Sequence, residues 1–326
     1  MLEIAGRRIV HPLVLSPMVD VTDAAFRSVA KEWGADVTCS EMVSAVGLLH
    51  DNARAWWHLA PWPGESPYGV QFMCGEEAEM AAAVATLATR IQLDFVDVNL
   101  GCPAPNIMKV CAGGFLMKDP KKAGAVIRAA RQAADEAGIR HVSAKMRLGP
   151  DDRHLTYLDV GREAEAAGAD WVTLHARTVA QGYSGAAAWS HIGRLTDTLG
   201  IPVIGNGDLR TPEDVVRMRD ETGCAGFFIA RAAMHDPTVF VRMRAALDGK
   251  SDAAPEPGMA SRLRTFLVYL ERAQAIGVTS MGDFRRQAAR FVAGAPGARQ
   301  LRMRLQEVRD VDALRELVAA TLTVPA

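Results

Sequence analysis

Cys102 is the residue whose type and setting most clearly permit chemistry in this chain. It lies in the segment 99–103, which reads Asn-Leu-Gly-Cys-Pro and directly follows the β-rich run 95–98. A thiol with an ordinary pKa of about 8.5 is mostly protonated at neutral pH, so Cys102 could deliver a proton as a general acid. With a depressed pKa it would act as a nucleophile instead. A lone cysteine is more often a small buried apolar residue, and Cys111, in the same loop, is a competing candidate.

Polar side chains also occur in or after later β-rich runs. Lys145 lies in the apolar stretch 142–146, where a charge is costly unless it meets an anionic partner, such as an electron-rich cofactor ring. Gln71 carries a donor and an acceptor and could read the edge of a heterocycle or simply bond to loop backbone. His175 alone would be a structural histidine, but the surrounding constellation makes it a candidate site residue.

Two segments near the end of the β-rich part predict a phosphate site. They are 205–208, which reads Gly-Asn-Gly-Asp, and 230–233, which reads Ala-Arg-Ala-Ala. Glycine lets backbone N–H groups approach a phosphate, the N-terminus of a following helix favours an anion, and Arg231 could add a charge-assisted hydrogen bond. Tight turns also produce a Gly-Asn-Gly-Asp segment, so the prediction depends on both segments together.

A regular alternation of elements must bring these residues together. Short β-rich runs occur eight times and mostly alternate with amphipathic helical patterns, and proline follows a capping threonine at Thr211. Eight such units over about 240 residues predict an α/β fold, a (β/α)8 TIM barrel whose strand carboxyl ends carry the chemistry. A doubly wound sheet is the alternative. The β-rich runs are 14–19, 37–43, 68–74, 95–102, 141–148, 171–176, 203–208 and 226–231. The helical patterns include 23–33, 76–91, 120–137, 157–167, 191–199 and 212–221.

The composition is that of an ordinary soluble protein from a reducing compartment. The 326 residues are 49% hydrophobic and 23% charged, and the net charge is −1. Five scattered cysteines without Cys-X-X-Cys spacing argue against a disulfide scaffold or a zinc site. The start of the chain does not resemble a signal peptide, and no apolar run approaches the roughly 18 residues of a spanning helix. We therefore expect a cytoplasmic protein without a metal site or a membrane partner.

The C-terminal part of the sequence predicts a second, smaller domain. The segment 251–258 is rich in proline and small residues and predicts a linker between a barrel domain, 1–250, and an all-α helical domain, 259–326. From residue 284 to residue 306 there are six arginines and no acid. This pattern is typical of either a solvated helix face or a surface that binds a polyanion.

Taken together, these segments resemble the flavin-dependent tRNA-dihydrouridine synthases. Their order and spacing agree over the whole barrel. The matching segments are 16–23 with Phe26 and Arg27, 69–72, 99–103, 145–147, 175–178 with Gln181 and 183–185, 205–208, and 230–231. The segments 285–286 and 297–302 also resemble the helical domain of the bacterial class B branch.

The resemblance implies an FMN-dependent enzyme that uses NADPH to reduce the C5–C6 double bond of uridines in tRNA. Reduced FMN would pass hydride from N5 to C6 of uracil, and Cys102 would protonate C5. The target base would leave its stack to reach the barrel mouth. The residues that would hold FMN are Ser16, Pro17, Met18, Gln71, Lys145, His175, Asn206, Gly207, Asp208, Ala230 and Arg231. The residues that would contact the RNA are Asn99 and Arg177 at the base, with Arg285, Arg286 and Arg290 at the backbone.

Other functions stay open at this stage. The same reaction could act on ribosomal RNA. A small-molecule flavin ene-reductase or dihydroorotate-type oxidoreductase would leave the arginine-rich face idle. A non-catalytic RNA-binding module or chaperone would bind no flavin and would be indifferent to Cys102→Ala. The sequence does not name the modified uridine or the oligomeric state, for which a monomer is the default expectation.

Overall fold

A computed structural model describes residues 1–250 and 257–323. The predicted linker 251–258 lies outside the described residues, except for Pro257 and Gly258. The strands are β1 (Leu2–Ile4), β2 (Arg7–Ile9), β3 (Leu13–Leu15), β4 (Thr38–Cys39), β5 (Val43–Ser44), β6 (Tyr68–Met73), β7 (Phe95–Leu100), β8 (His141–Arg147), β9 (Trp171–His175), β10 (Val203–Asn206) and β11 (Gly226–Ile229). The α-helices are α1 (Ala24–Glu32), α2 (Ala45–Leu49), α3 (Ala53–Leu59), α4 (Glu77–Ala88), α5 (Pro105–Met108), α6 (Pro120–Glu136), α7 (Tyr157–Ala166), α8 (Ser190–Thr198), α9 (Pro212–Thr222), α10 (Arg231–His235), α11 (Val239–Leu247), α12 (Met259–Ala275), α13 (Met281–Phe291), α14 (Ala298–Glu307) and α15 (Val311–Thr323), and a 3-10 helix spans Gly113–Lys118. Among the helices of these described ranges, none has the length and apolar character needed to span a membrane.

Parallel strands form a barrel that closes on itself. The strands follow the order β3-β11-β10-β9-β8-β7-β6-β4. The short strand β5 follows β4 and also pairs with β6. Val14 of β3 pairs in parallel with Val37, the residue before β4, and Leu15 N donates to Val37 O at 3.0 Å. These contacts place β3 beside β4 and close the ring of strands. A doubly wound sheet would keep two open edges. The closure therefore confirms the predicted TIM barrel.

Each predicted β-rich run overlaps a strand, and the predicted helical patterns correspond to α1, α4 and α6–α9. Two runs are shorter than predicted or broken. The run 37–43 splits into β4 and β5, where Ser40 Oγ accepts the hydrogen bond of Gln71 N at 3.2 Å. The run 14–19 ends as a strand at Leu15, two residues before Pro17, which has no amide hydrogen to donate.

The strands send alternate side chains to opposite sides of the barrel wall. In β8, Val142 and Ala144 belong to the core between the strands and the helices, whereas Lys145 faces the interior. This alternation gives each strand an apolar outer face. It also leaves the inner face free to carry polar groups near the carboxyl end.

A hairpin that the sequence patterns did not predict covers the amino-terminal end of the barrel. The strands β1 and β2 pair antiparallel, and Leu2 and Ile4 pack in one buried cluster with Phe95 and Trp171. The latter two residues open β7 and β9. This apolar plug fills the barrel at the end opposite the carboxyl ends of the strands.

The helices α12–α15 confirm the predicted all-α region, and α12 and α13 pack against α1. The ring centroid of Phe26 lies 6.3 Å from that of Tyr269 and 6.0 Å from that of Phe291. Tyr269 OH donates to Asp23 Oδ2 at 3.0 Å, while Asp23 Oδ1 accepts from Phe26 N and caps α1. Burial raises the pKa of Asp23 to about 6, against the opposing effect of these hydrogen bonds. The helical region therefore joins the barrel beside the loop 16–23.

Candidate active site

The carboxyl ends of the barrel strands surround a cavity of about 480 Å³. This is where TIM barrels carry their chemistry, and the volume is within the range of small-molecule and cofactor sites. The predicted residues that line the cavity are Ser16, Pro17, Met18, Gln71, Asn99, Cys102, Lys145, His175, Asn206, Gly207, Asp208, Ala230, Arg231 and Arg290. The remaining predicted residues, Arg177, Arg285 and Arg286, lie elsewhere.

Cys102 lies in a tightly held loop after β7. Its N–H donates to Asn99 Oδ1 at 3.0 Å, and its carbonyl accepts from Gly114 N at 3.0 Å. A Cβ at Gly113 or Gly114 would come within 3.1 or 3.0 Å of that carbonyl oxygen, so small residues permit the close approach. Cys102 is half-buried and lines the cavity, whereas Cys111 is exposed and lies outside the cavity lining.

A chain of buried polar side chains crosses β6, β7 and β8. Asn99 Nδ2 donates to Gln71 Oε1 at 2.9 Å, and Gln71 Nε2 donates to Asp97 Oδ2 at 2.7 Å. Ser143 Oγ donates to the other oxygen of Asp97 at 2.5 Å. Burial raises the pKa of Asp97, although both hydrogen bonds oppose this effect. Gln71 and Asn99 consequently meet the cavity in a fixed orientation.

Lys145 presents a cation to the cavity. Within the described ranges 1–250 and 257–323, its Nζ makes no hydrogen bond, and it lies 5.7 Å from the centre of the Phe228 ring. Burial and then the charge of Arg147 lower the pKa of Lys145 to about 8, despite the nearby Asp97. Such a cation is suited to an anionic or electron-rich ligand.

His175 ends β9 as a neutral imidazole. Burial and the cations Lys145, Arg147, Arg177 and Arg231 hold its pKa well below the ordinary value. Its Nε2 lies 3.3 Å from Arg177 Nη1. Because a guanidinium can only donate, Nε2 accepts in this contact and Nδ1 carries the ring N–H.

The segment after β10 combines a tight backbone with an arginine cluster. Gly207 has a φ of +120°, and a Cβ there would lie 2.8 Å from Ala187 Cβ. Asp208 Oδ1 accepts from Arg231 Nη2 at 2.9 Å, and Oδ2 accepts from Ala187 N at 2.9 Å and Arg177 Nη2 at 2.7 Å. Burial alone would raise the pKa of Asp208, but the bonds from Ala187 N and Arg177 and the charge of Arg210 hold it below its ordinary value. The carboxylate thereby orients Arg231, which opens α10 rather than ending β11, at the cavity rim.

Arg177 is placed behind the cavity wall rather than on its lining, where a base contact was predicted. Its side chain is fully buried, and besides Asp208 it donates to Ser184 O at 3.1 Å and Gly185 O at 2.6 Å. The guanidinium is therefore held by two loop carbonyls together with Asp208 and His175. In this position Arg177 ties the loop after β9 to the loop after β10.

The three predicted arginines of α13 have different surroundings. Arg285 Nη1 donates to Gln306 O at 3.1 Å, which connects α13 to the end of α14, and Arg286 pairs with Asp283. Arg290 alone among them reaches the cavity.

A family model described as dihydrouridine synthase (Dus) matches residues 14–324 of the chain. The chain belongs to the dihydrouridine synthase family. This confirms the resemblance predicted from the motifs. The chain is 31% identical over 298 residues to the probable tRNA-dihydrouridine synthase of Aquifex aeolicus, and the match covers 89% of each chain. It is 31% identical over 303 residues to tRNA-dihydrouridine synthase B of Pseudomonas putida, covering 92% of this chain and 88% of the relative.

Solved structures of other proteins share the fold at low sequence identity. The structure of 6-hydroxypseudooxynicotine amine oxidase from Pseudomonas geniculata aligns with a TM-score of 0.51 and 15% identity. The alignment covers 78% of this chain and 50% of that chain. This likeness concerns the barrel fold alone.

The cavity of this dihydrouridine synthase family member is positively charged, although the whole chain carries a net charge of −1. Its charged lining residues are Lys145, Arg147, Arg210, Arg231 and Arg290, with Asp208 as the acid. Among the described residues, no group of three or more His, Cys, Asp or Glu side chains is arranged to hold a metal ion. The electrostatics favour an anionic ligand over a cationic one.

Sequence reasoning missed three further lining residues with functional groups, Arg147, Tyr183 and Arg210. Arg147 follows Lys145 by two positions, so the alternation of β8 already pointed it into the barrel. Its guanidinium lies 5.4 Å from the ring centre of Tyr183, which is 66% exposed and also lines the cavity. Tyr183 belongs to the motif segment 183–185, but its loop has no periodicity that would indicate a side chain on the cavity lining.

Proposed function

We propose that this protein reduces uridines of tRNA to dihydrouridine, with FMN as the bound cofactor and NADPH as the reductant. The observation that carries the proposal is the cavity in which Cys102, Asn99 and Lys145 meet at the ends of β7 and β8. The relatives from Aquifex aeolicus and Pseudomonas putida, both named as tRNA-dihydrouridine synthases, support tRNA as the substrate class.

The residues of the cavity fit FMN. Lys145 is a cation without a hydrogen-bond partner among the described residues, which suits the electron-rich edge of a flavin ring. Gly207 permits close backbone approach, and Arg231 offers a guanidinium that suits a phosphate. The residues proposed to hold FMN are Ser16, Pro17, Met18, Gln71, Lys145, His175, Asn206, Gly207, Asp208, Ala230 and Arg231.

Cys102 provides the proton of the proposed reaction. Bound FMN, once reduced by NADPH, supplies the hydride for C6 of the uracil. The Sγ–H of Cys102 protonates C5, and the resulting thiolate regains a proton from solvent at the cavity mouth. Asn99 holds the backbone of Cys102 through the 3.0 Å bond from its amide. The exposed ring of Tyr183 is suited to stack on a base that has left its helix.

The described helices α12–α15 are proposed to bind the RNA backbone, as part of a domain spanning 259–326 that follows a catalytic domain of residues 1–250. Arg290 places α13 beside the mouth of the barrel, because its side chain lines the cavity and donates to Asp20 O at 2.5 Å. Arg285 and Arg286 lie on the same helix and would contact phosphates in a salt-dependent manner. We further propose that the protein acts as a cytoplasmic monomer.

Mapping dihydrouridine in cellular RNA tests this proposal. Cells that lack the gene are complemented with wild type, Cys102→Ala or Cys111→Ser, and tRNA and ribosomal RNA are analysed by mass spectrometry. We expect deletion to remove dihydrouridine from tRNA. Wild type and the matched control Cys111→Ser should restore it, whereas Cys102→Ala should not.

The alternative outcomes point to different functions. Loss from ribosomal RNA would change the substrate, while full activity of Cys102→Ala would remove Cys102 as the acid. An unchanged RNA profile in cells without a second synthase would contradict the proposal. FMN in the purified protein and reduction of a free enone would then indicate a small-molecule reductase.

A further inference from the structure

Asp97 is a buried carboxyl group that the proposed mechanism does not use. It lies in the middle of β7, does not line the cavity, and is 3% exposed. Its two oxygens each accept one hydrogen bond, from Ser143 Oγ at 2.5 Å and from Gln71 Nε2 at 2.7 Å. These partners come from its register neighbours on β6 and β8. A buried carboxyl group with two dedicated donors calls for a functional explanation.

The bond to Asp97 determines which end of the Gln71 amide points at Asp97 and which end points at Asn99. A side-chain amide has one donor end and one acceptor end. Because a carboxylate accepts but does not donate, the NH2 group of Gln71 must face Asp97. Gln71 Oε1 then points at Asn99, further along β7, and accepts from Asn99 Nδ2 at 2.9 Å.

The same constraint passes from Asn99 to the backbone around the thiol. With its NH2 group committed to Gln71, Asn99 points Oδ1 at Gly101 N and Cys102 N, at 3.1 and 3.0 Å. A reversed Asn99 amide would place its NH2 group against these two N–H donors. The loop conformation of Cys102 therefore requires the observed amide orientation.

We propose that Asp97 is a positioning residue, which fixes the amide orientations of Gln71 and Asn99 and thereby holds the backbone of Cys102. Its importance for proton delivery rests on the proposed function, but its structural action does not. Ser143 does not replace it, because its Oγ donates to Asp97 and makes no hydrogen bond to Gln71 among the described residues.

Hydrogen–deuterium exchange of the full-length protein tests the proposal at the amides of Gly101 and Cys102. Asp97→Leu is expected to speed their exchange about threefold to tenfold, the range for one lost hydrogen bond. Asp97→Asn should remain near wild type, because its oxygen can accept from Gln71 while its NH2 group donates to Ser143 Oγ. Ser143→Ala is the matched control, since it removes the other bond and leaves the chain to Cys102 intact.

Exchange in β9 reports whether an effect is local. Equal acceleration in Trp171–His175 and at residues 101–102 would indicate general loosening and overturn the proposal. Unchanged exchange at residues 101–102 in Asp97→Leu would do the same. If Asp97→Leu does not fold, Gln71→Leu breaks the chain at its next link and should accelerate the same two amides.

Activity measured separately distinguishes this proposal from the proposed function. In an active wild type, Asp97→Leu should lower kcat for dihydrouridine formation and leave the KM for tRNA nearly unchanged, and Asp97→Asn should rescue kcat. A change in KM alone would overturn the positioning role. If wild type forms no dihydrouridine, the proposed function fails, while the exchange result still decides the role of Asp97.

Discussion

Replacing Lys145 by methionine is expected to stabilise the FMN-free protein at neutral pH, although Lys145 lines the proposed cofactor site. The ammonium group has no hydrogen-bond partner among the described residues, and the nearby Arg147 carries the same charge. Methionine keeps the unbranched shape of the lysine stem and packs favourably near an aromatic ring such as that of Phe228. The substitution therefore removes an unfavourable charge with little loss of packing.

The magnitude follows from the pKa of Lys145. Folding lowers it from 10.5 to about 8, and one pKa unit corresponds to about 1.36 kcal/mol between the two protonation states. Lowering the pKa by about 2.5 thus corresponds to about 3 kcal/mol of destabilisation at neutral pH. Solvent in the cavity screens part of this charge, so we expect the variant to gain about 1–3 kcal/mol.

The gain must also depend on pH. A base whose pKa is lowered on folding binds fewer protons when folded, so wild-type stability rises between about pH 8 and 10.5. The advantage of Lys145→Met should be full at pH 7 and shrink across that interval. Urea unfolding of both FMN-free proteins measures it. Lys118→Met is the matched control, because Lys118 is exposed over the Phe115 ring at 4.7 Å and should change stability by less than about 0.5 kcal/mol.

A variant less stable than wild type at pH 7, or an advantage that is constant from pH 7 to 10.5, would refute this reasoning about Lys145. FMN titration followed by flavin fluorescence adds a second comparison. Lys145→Met should bind FMN more weakly than wild type, and Lys145→Arg should retain more affinity because it keeps the charge.

Three further substitutions test other parts of the structure by thermal or urea unfolding. Gly207→Ala should lose about 2–4 kcal/mol, because its φ is +120° and the new methyl group would lie 2.8 Å from a neighbouring one. Wild-type stability should fall by about 3 kcal/mol as the pH rises from about 4 to 6, because Asp23 with its raised pKa keeps its proton longer in the folded protein than in the unfolded chain. Asp23→Asn should abolish this fall, and its side chain can still cap the amide of Phe26. Glu65→Ala should cost about 3–5 kcal/mol, because it leaves the fully buried Arg27 unpaired.

Matched comparisons isolate each cause. Gly138→Ala has a φ of +75° and open space around the new methyl group, so an equal loss there would contradict crowding at Gly207. If the free energies of unfolding of wild type and Asp23→Asn change with pH in the same way, burial of the Asp23 charge does not destabilise the folded protein. Glu3→Ala breaks the exposed pair with Arg8 and should have little effect, so a similar cost at Glu65 would show that burial is unimportant.

Most of the fold could be predicted from local patterns. Each β-rich run overlaps a strand, and Thr211 and Asp214 form the capping box that begins α9. The hairpin of β1 and β2 was missed, because strands of three residues are too short to show an alternation. The break after β4 was also missed, since it depends on Ser40 Oγ meeting a strand that is distant in sequence.

The sequence by itself determined which chemical groups lie at the strand ends, because strand order and alternation direct them to one mouth of a barrel. Tertiary structure alone decided what each group meets. It placed Arg177 on Asp208 behind the wall, left Lys145 without a hydrogen-bond partner among the described residues, and connected Asp97 to the Cys102 loop. Hydrogen-bond partners and pKa values arise from side chains on different strands, and their distances exist only after the barrel has closed.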